Sequence, residues 1–351
     1  MKQLVLAIFA LFMFTGCDPF NTQFERLEEA NYFKAKKIIE YPETKTLKVM
    51  SYNIKFGGGR VDMFFDCHGD RVIMTEEEVN THLKNLAKFI TAQDPDIIFI
   101  QEIDIDSKRS AYSDQIQYLL DNTKLNYGVY ASQWKASYVP SGGKKWVGKV
   151  NSGNLILSKQ PLNNGIRIAL PLIEEHDWLT KYFYLKRNIL VANIEIDGKK
   201  VYLAGTHLSA FAHDGTKKKQ LDIVYNKAKE FIESGESLIL AGDFNTLPPY
   251  TQKRGNFDDS ACEGQFNGDD YSGEEEYMRP YYSLLYPAIP LETYKANNAP
   301  FYSYTSLSSG FWNRKIDYIF TNLAIKDGKV IQDGTMALSD HAPLSATITI
   351  K

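Results

Sequence analysis

Asp96-Ile-Ile-Phe-Ile-Gln-Glu102 places four apolar residues in a row and then turns polar. A run this short and this apolar reads as a strand buried on both faces. Just upstream, Pro95 closes an amphipathic stretch over 75–93 in which Val79, Leu83, Leu86 and Ile90 share one helical face. Thr75, with Glu78 three residues on, has the form of a capping box at its start. Residues 47–54 (Leu-Lys-Val-Met-Ser-Tyr-Asn-Ile) alternate as a strand does and run into Gly57-Gly58-Gly59. The first unit is therefore strand, helix, buried strand. Both strands finish beside a polar residue able to do chemistry, Asn53 and Glu102.

Downstream the pattern shifts to short strands, over 128–132, 153–158, 185–196 and 200–208, the last two joined by the hairpin signal Asp197-Gly198. A long amphipathic helix is predicted over 217–234, with Lys217, Lys218 and Lys219 opening an exposed face. A buried strand follows over 237–242. Residues 248–310, rich in Gly, Pro, Asp and Tyr, lack periodicity and read as a long loop region. Strands over 315–320, 326–332 and 342–350 finish the chain. Strands outnumber helices, and βαβ units recur too seldom for a doubly wound sheet. The expected fold class is α+β, a four-layer α/β sandwich of two packed mixed β-sheets flanked by helices.

The polar clusters at the strand ends carry the chemistry. They are Ser51-Tyr52-Asn53, Gln101-Glu102, Gly205-Thr206-His207-Leu208, Gly242-Asp243-Phe244-Asn245 and Ser339-Asp340-His341; Lys315-Ile316-Asp317-Tyr318 lies within its strand. A carboxylate at a buried strand end is costly unless paired, hydrogen-bonded or metal-bound. One such residue has a bland explanation as a turn or cap, but the set argues for convergence on one site. Oxygen donors without thiolates point to a hard cation, Mg²⁺ or alternatively Mn²⁺ or Ca²⁺. Such a cation beside two histidines and a further carboxylate suits water attack on phosphorus.

These clusters, in this order over residues 47–351, resemble the endonuclease/exonuclease/phosphatase superfamily, whose fold is DNase I-like. The resemblance implies a metal-dependent phosphoesterase. It gives Glu102, with Asn53 beside it and Asp340 on the metal side, to the metal. Asp243 would position or activate water, with Asn245 holding phosphate or metal. His341, oriented by Asp317, would contact a phosphate oxygen or help activate the water. His207 is similar to the histidine of the nuclease and sphingomyelinase branches that stabilises the transition state or protonates the leaving group, which tilts away from DNA repair. Asn154 and Arg187 are substrate-side candidates, with turn chemistry and a solvated strand start as the plain alternatives.

The N-terminus adds a location. Lys2, an apolar run over 4–14 and then Thr15-Gly16-Cys17 have the form of a secretory signal too short to span a bilayer. A Cys after a small residue there resembles a bacterial lipobox, although Phe14 stands where Leu is usual. The resemblance implies lipidation at Cys17 and a lipid-anchored enzyme of the cell envelope, facing the periplasm or the cell surface. The expected division is signal peptide 1–17, tether 18–46 and catalytic domain 47–351, acting as a monomer. Cys67 and Cys262 leave one disulfide open.

Asp66, His68 and Asp70 read as a charged surface loop, with a second ion's ligands as the alternative. Lys144, Lys145 and Lys149 around Trp146 read as a solvated loop rather than a phosphate patch. A net charge of −3 excludes a bulk electrostatic pull toward nucleic acid. The substrate therefore stays open among a phospholipid headgroup, nucleic acid and a small phosphoester. A non-catalytic surface binding lipoprotein that keeps the fold is the alternative of another class; loss of a site residue would favour it, and none is lost.

Overall fold

The computed structural model describes residues 18, 20–66, 69–140, 146–210, 212–257, 270–307 and 311–350. Cys17, Cys67, Cys262, His68, Lys144 and Lys145 lie outside the described residues.

Two seven-stranded sheets pack face to face. One contains, in spatial order, β13 (Ala324–Val330), β14 (Leu344–Thr349), β3 (Thr46–Asn53), β4 (Ile97–Asp104), β6 (Gly148–Ser158), β5 (Tyr127–Val139) and β2 (Asn31–Lys34). The other runs β1 (Leu27–Glu29), β7 (Asn163–Ala169), β8 (Asn188–Ile196), β9 (Lys199–His207), β10 (Ser237–Asp243), β12 (Asp317–Thr321) and β11 (Tyr286–Pro287). Among the described strands, only β3–β4 and β9–β10 pair in parallel. Each of these pairs is bridged by a long helix, α1 (Glu76–Gln93) and α4 (Thr216–Glu233), because parallel neighbours need a crossover.

Strand alternation sorts the core into layers. Val49, Ile97, Phe99 and Ile156 meet Leu190, Leu203, Ile239, Ala241 and Ile319 between the sheets. Met50, Tyr52, Ile98 and Ile100 point the other way, under Val79, Leu83, Leu86 and Ile90 of α1 and Ile116, Leu119 and Leu120 of α2 (Gln115–Asn122). Leu238, Leu240, Tyr318 and Phe320 do the same under Leu221 and Val224 of α4. The four-layer sandwich expected from the sequence is what forms. The capping box is present: Thr75 Oγ1 accepts from Glu78 N (3.2 Å) and Glu78 Oε2 accepts from Thr75 N (2.8 Å). Such a cap contributes about 1 kcal/mol.

Three expectations change. The segment read as a tether, 18–46, supplies an edge strand to each sheet, with Leu27 opposite Ile168 and Asn31 opposite Tyr130. These strands are three and four residues long and largely exposed, so no apolar period announces them. The folded unit thus begins well before residue 47. Residues 248–310 are more than a loop: α5 (Arg279–Leu284), β11 and α6 (Leu291–Ala296) lie within them. Lys217 is buried rather than exposed, donating to both oxygens of Glu274 (2.8 and 3.0 Å) across from that segment, while Lys218 and Lys219 reach solvent. Among the described residues, no helix is long and apolar enough to cross a membrane.

Candidate active site

At one end of the sandwich the inward-facing positions change from apolar to polar. On β10 the inward series Ile239, Ala241 ends in Asp243. Register does the rest: Asp243 lies opposite His207 of β9 on one side and Asp317 of β12 on the other. Directly opposed residues in adjacent strands project on the same face. Three residues far apart in sequence thus form one row. Gly242 permits it, because a Cβ there would stand 1.9 Å from Thr206 O, and its φ is +147°.

The facing sheet contributes through a bulge. Ile100 opposes Leu155 and Ile103 opposes Gly153, so Gln101 and Glu102 together face Asn154 alone. The extra residue re-aims Glu102, which sits at φ +62°. A non-glycine residue in the left-handed region stores strain, and such residues cluster at functional sites. The Glu102 side chain keeps 29% of its exposure, opening to solvent, whereas that of Asp243 keeps 1%.

Asn53, ending β3, joins the two halves. Its Nδ2 donates to Glu102 Oε1 (3.2 Å) and to Asp243 Oδ2 (3.1 Å). Its Oδ1 accepts from Lys55 N (3.1 Å); a backbone N–H only donates, so the amide cannot be turned round. Asn53 therefore orients the carboxylates through Nδ2, and its Oδ1 keeps a second lone pair beside the bond from Lys55 N. The Ser339 hydroxyl donates its one proton to Asn53 O (2.8 Å) and lies 3.1 Å from Asp340 Oδ1. The Ser339–His341 turn is thereby tied to β3.

His341 Nδ1 is 2.8 Å from Asp317 Oδ2, and its Nε2 is 3.6 Å from Asp243 Oδ2. Ser303 donates to the same Asp317 oxygen (2.7 Å). His207 Nε2 is 3.4 Å from Asp243 Oδ2, so that carboxylate stands between two imidazoles. Asn245, at φ +47°, donates through its backbone to Asp243 Oδ1 (2.9 Å) and through its side chain to Leu208 O (3.0 Å).

The electrostatics divide the two histidines. Burial lowers His341's affinity for a proton, but the Asp317 and Asp243 carboxylates outweigh it and push its pKa up to about 10. His207 falls well below the usual 6.5, through burial and then the positive Arg187 and His341. Burial pushes Asp243 up to about 7, against the pull of His341. Glu102 is also raised, by burial and by Asp340.

Arg187 is buried, donates to Gln133 Oε1 (3.0 Å), and leaves its Nε without a protein partner. The nearest carboxylates it feels are Glu102 and Asp243. Asn154 is held by Asn188 (3.1 Å), with its Oδ1 unpartnered. All ten site residues expected from the sequence thus gather at this end of the sandwich. Missed were Ser303, Gln133, Asn188 and Lys55, which hold the others. Only Lys55, two residues past Asn53, had any positional signal.

A divalent cation fits here. Burial and the charge of Asp340 both raise Glu102, more than Arg109 and His341 lower it, and a cation at its partly exposed carboxylate would relieve that cost. The Asp243, Asp317 and His341 donor atoms also lie within 4.8 Å of one another. However, His341 Nδ1 is committed to Asp317, so this trio suits a hydrogen-bonded relay better than ion ligation. Oxygen donors at Glu102 favour a hard ion.

A sequence model of the endonuclease/exonuclease/phosphatase family matches residues 50–341. No curated protein sequence matches the chain. Among solved structures, an endonuclease/exonuclease/phosphatase from Beutenbergia cavernae is similar over 87% of this chain and 72% of its own, at 19% identity and TM-score 0.56. The human nocturnin catalytic domain with bound sulfate anion is similar over 92% of this chain and 97% of its own, at 18% identity and TM-score 0.55. TDP2 from D. rerio, complexed with single strand DNA product, is similar over 87% of this chain and 99% of its own, at 18% identity and TM-score 0.50. At such identities the likeness concerns the fold. The family match covers most of the chain and every one of the gathered side chains, from Asn53 to His341: the chain belongs to the endonuclease/exonuclease/phosphatase family.

Proposed function

We propose that this protein is an exported, lipid-tethered phosphodiesterase that hydrolyses its substrate by water attack at phosphorus, with Mg²⁺ (or Mn²⁺ or Ca²⁺) held at Glu102. The observation that carries the reading is the row His207–Asp243–Asp317, closed by His341 and facing Glu102 across the gap between the sheets. A bound divalent ion would neutralise charge on the phosphate and the leaving oxygen.

The protein's own groups divide the remaining work. Asp243, with a pKa near 7 and His341 Nε2 3.6 Å away, takes the proton of the attacking water. His341, kept protonated by Asp317, binds a phosphate oxygen. His207, neutral at pH 7, stands on the other side of Asp243, where a leaving oxygen can be stabilised. Asn245 and Asn53 fix Asp243 by hydrogen bonds to its two oxygens. Arg187 Nε and Asn154 Oδ1 are buried and have no hydrogen-bond partner in the protein, so we assign them to the substrate side.

Nucleic acid is one substrate class, supported by the similar TDP2 structure with its single strand DNA product. A phospholipid headgroup is supported by a different observation. Trp146, Trp178, Tyr250 and Phe311 are exposed, and all lie in connections at the active-site end of the sheets. Trp178 opens α3 (Trp178–Phe183), against which Phe20 packs through Tyr182 and Phe183 (ring centroids 6.2 and 5.5 Å). Cys17, the proposed site of the lipid, precedes Phe20 by three residues in the sequence. Aromatic side chains suit a lipid–water interface.

The test is hydrolysis of bis-p-nitrophenyl phosphate with Mg²⁺, then of single-stranded DNA, sphingomyelin and inositol phosphates. Diester hydrolysis should vanish with EDTA and in Asp243→Ala and His341→Ala. Activity that survives both treatments rules the reading out.

A further inference from the structure

Lys55 is a buried cation that the reaction does not use. Its Nζ lies 2.8 Å from Asp66 Oδ2, 3.4 Å from Val61 O and 4.0 Å from Asp340 Oδ2. The ammonium thus lies beside Asp340, the carboxylate whose charge raises Glu102. Its placement is built. Lys55 and Phe56 both have φ +45°, two consecutive left-handed residues without a glycine between them, a conformation that costs each about 1 kcal/mol or more. The turn is held by the bond from Lys55 N to Asn53 Oδ1, the same amide that orients Glu102 and Asp243. Asp66 is fixed in turn by Met63 N (2.8 Å). The loop that could have supplied ligands to a second ion therefore spends its buried carboxylate on an amine.

Two-ion phosphoesterase centres place their cations about 3.5–4 Å apart, with carboxylates shared or adjacent. Here Asp340 is the carboxylate whose charge acts on Glu102, and its Oδ2 lies 4.0 Å from Lys55 Nζ. A divalent ion between Asp340 and Asp66 would have to displace the ammonium or sit against it. Lys is a compact, strongly hydrated point charge on a flexible stem, suited to standing where an ion would.

We propose that Lys55 occupies the second-cation position of this centre, so that the protein binds one divalent ion, at Glu102, and not two. This rests on the metal-dependent reading above. It predicts that Asp66, with the Asp340 oxygen nearest the amine, holds a second ion only when the amine is removed.

The test is Mn²⁺ titration of the chain by calorimetry, with electron paramagnetic resonance to separate isolated from spin-coupled ions. The native protein should bind one uncoupled Mn²⁺. Lys55→Met should bind two, and Lys55→Arg should still bind one. Lys55→Gln, which keeps a donor to Asp66, takes the place of the methionine variant if that one does not fold. Two ions in the native protein overturn the inference and leave the phosphoesterase reading standing. So does a single ion in a folded Lys55→Met or Lys55→Gln protein. No bound ion in the native protein overturns the metal-dependent reading itself, and this inference with it.

Discussion

Replacing Asp317 by Asn should produce a loss of activity whose size depends on pH. The amide is nearly isosteric and can still accept from His341 Nδ1, now 2.8 Å from Asp317 Oδ2. What disappears is the negative charge that, with Asp243, lifts His341 from the ordinary 6.5 to about 10. Without it, only Asp243 and Asp340 still oppose burial, and the imidazole falls back toward its ordinary 6.5. At about pH 8.5, the protonated fraction then falls from about 0.97 to about 0.01. If His341 must be cationic to hold the phosphate, kcat/KM falls about 100-fold, or about 2.7 kcal/mol of transition-state stabilisation. At about pH 5.5 both proteins are protonated, and the ratio of native to variant activity should shrink to severalfold, the remainder being poorer orientation. The assay is kcat/KM on a chromogenic diester across this range, with the His341 ring followed by NMR. Native activity itself should rise as Asp243 loses its proton near 7, or lower when a cation sits at Glu102, and fall as His341 loses its proton near 10. These limits belong to the coupled group rather than to single residues. A ratio that stays constant with pH would refute the reasoning, because it would mean that Asp317 acts through packing alone.

Two further predictions concern the frame. Lys217→Met leaves Glu274 buried without its partner, which should cost about 3–5 kcal/mol in chemical denaturation; the double variant Lys217→Met/Glu274→Leu should recover most of that loss, and no recovery would mean that the pair is not the cause. Truncation to residue 47 removes β1 and β2 and exposes the edges of β7 and β5, so it should give an aggregating protein by light scattering, whereas a chain beginning at residue 18 stays dispersed; equal behaviour of the two would restore the tether reading of 18–46.

Glu102 and Asp243 were legible because each ends an apolar run, and the signal is local: four or five buried residues, then a charge. The helix over 76–93 was legible for the same reason, from a period and a cap lying within one stretch. Ser303 and Gln133 gave no signal, since each is an ordinary polar residue whose partner, Asp317 or Arg187, is set by folding. Lys217 was misjudged because Lys217, Lys218 and Lys219 look alike in sequence, and only the approach of Glu274 from the later segment buries the first of them.

The sequence alone thus determined which residues face inward and where the inward face turns polar, because strand and helix periods are written residue by residue. It also determined the family, through motifs kept in order. The tertiary structure decided which polar ends meet. The His207–Asp243–Asp317 row exists only through the pairing of β9, β10 and β12, and the bulge opposite Asn154 turns Glu102 toward it. It alone placed Lys55 against Asp66 and Asp340. Strand pairing and loop return join residues hundreds of positions apart, and no local period carries that information.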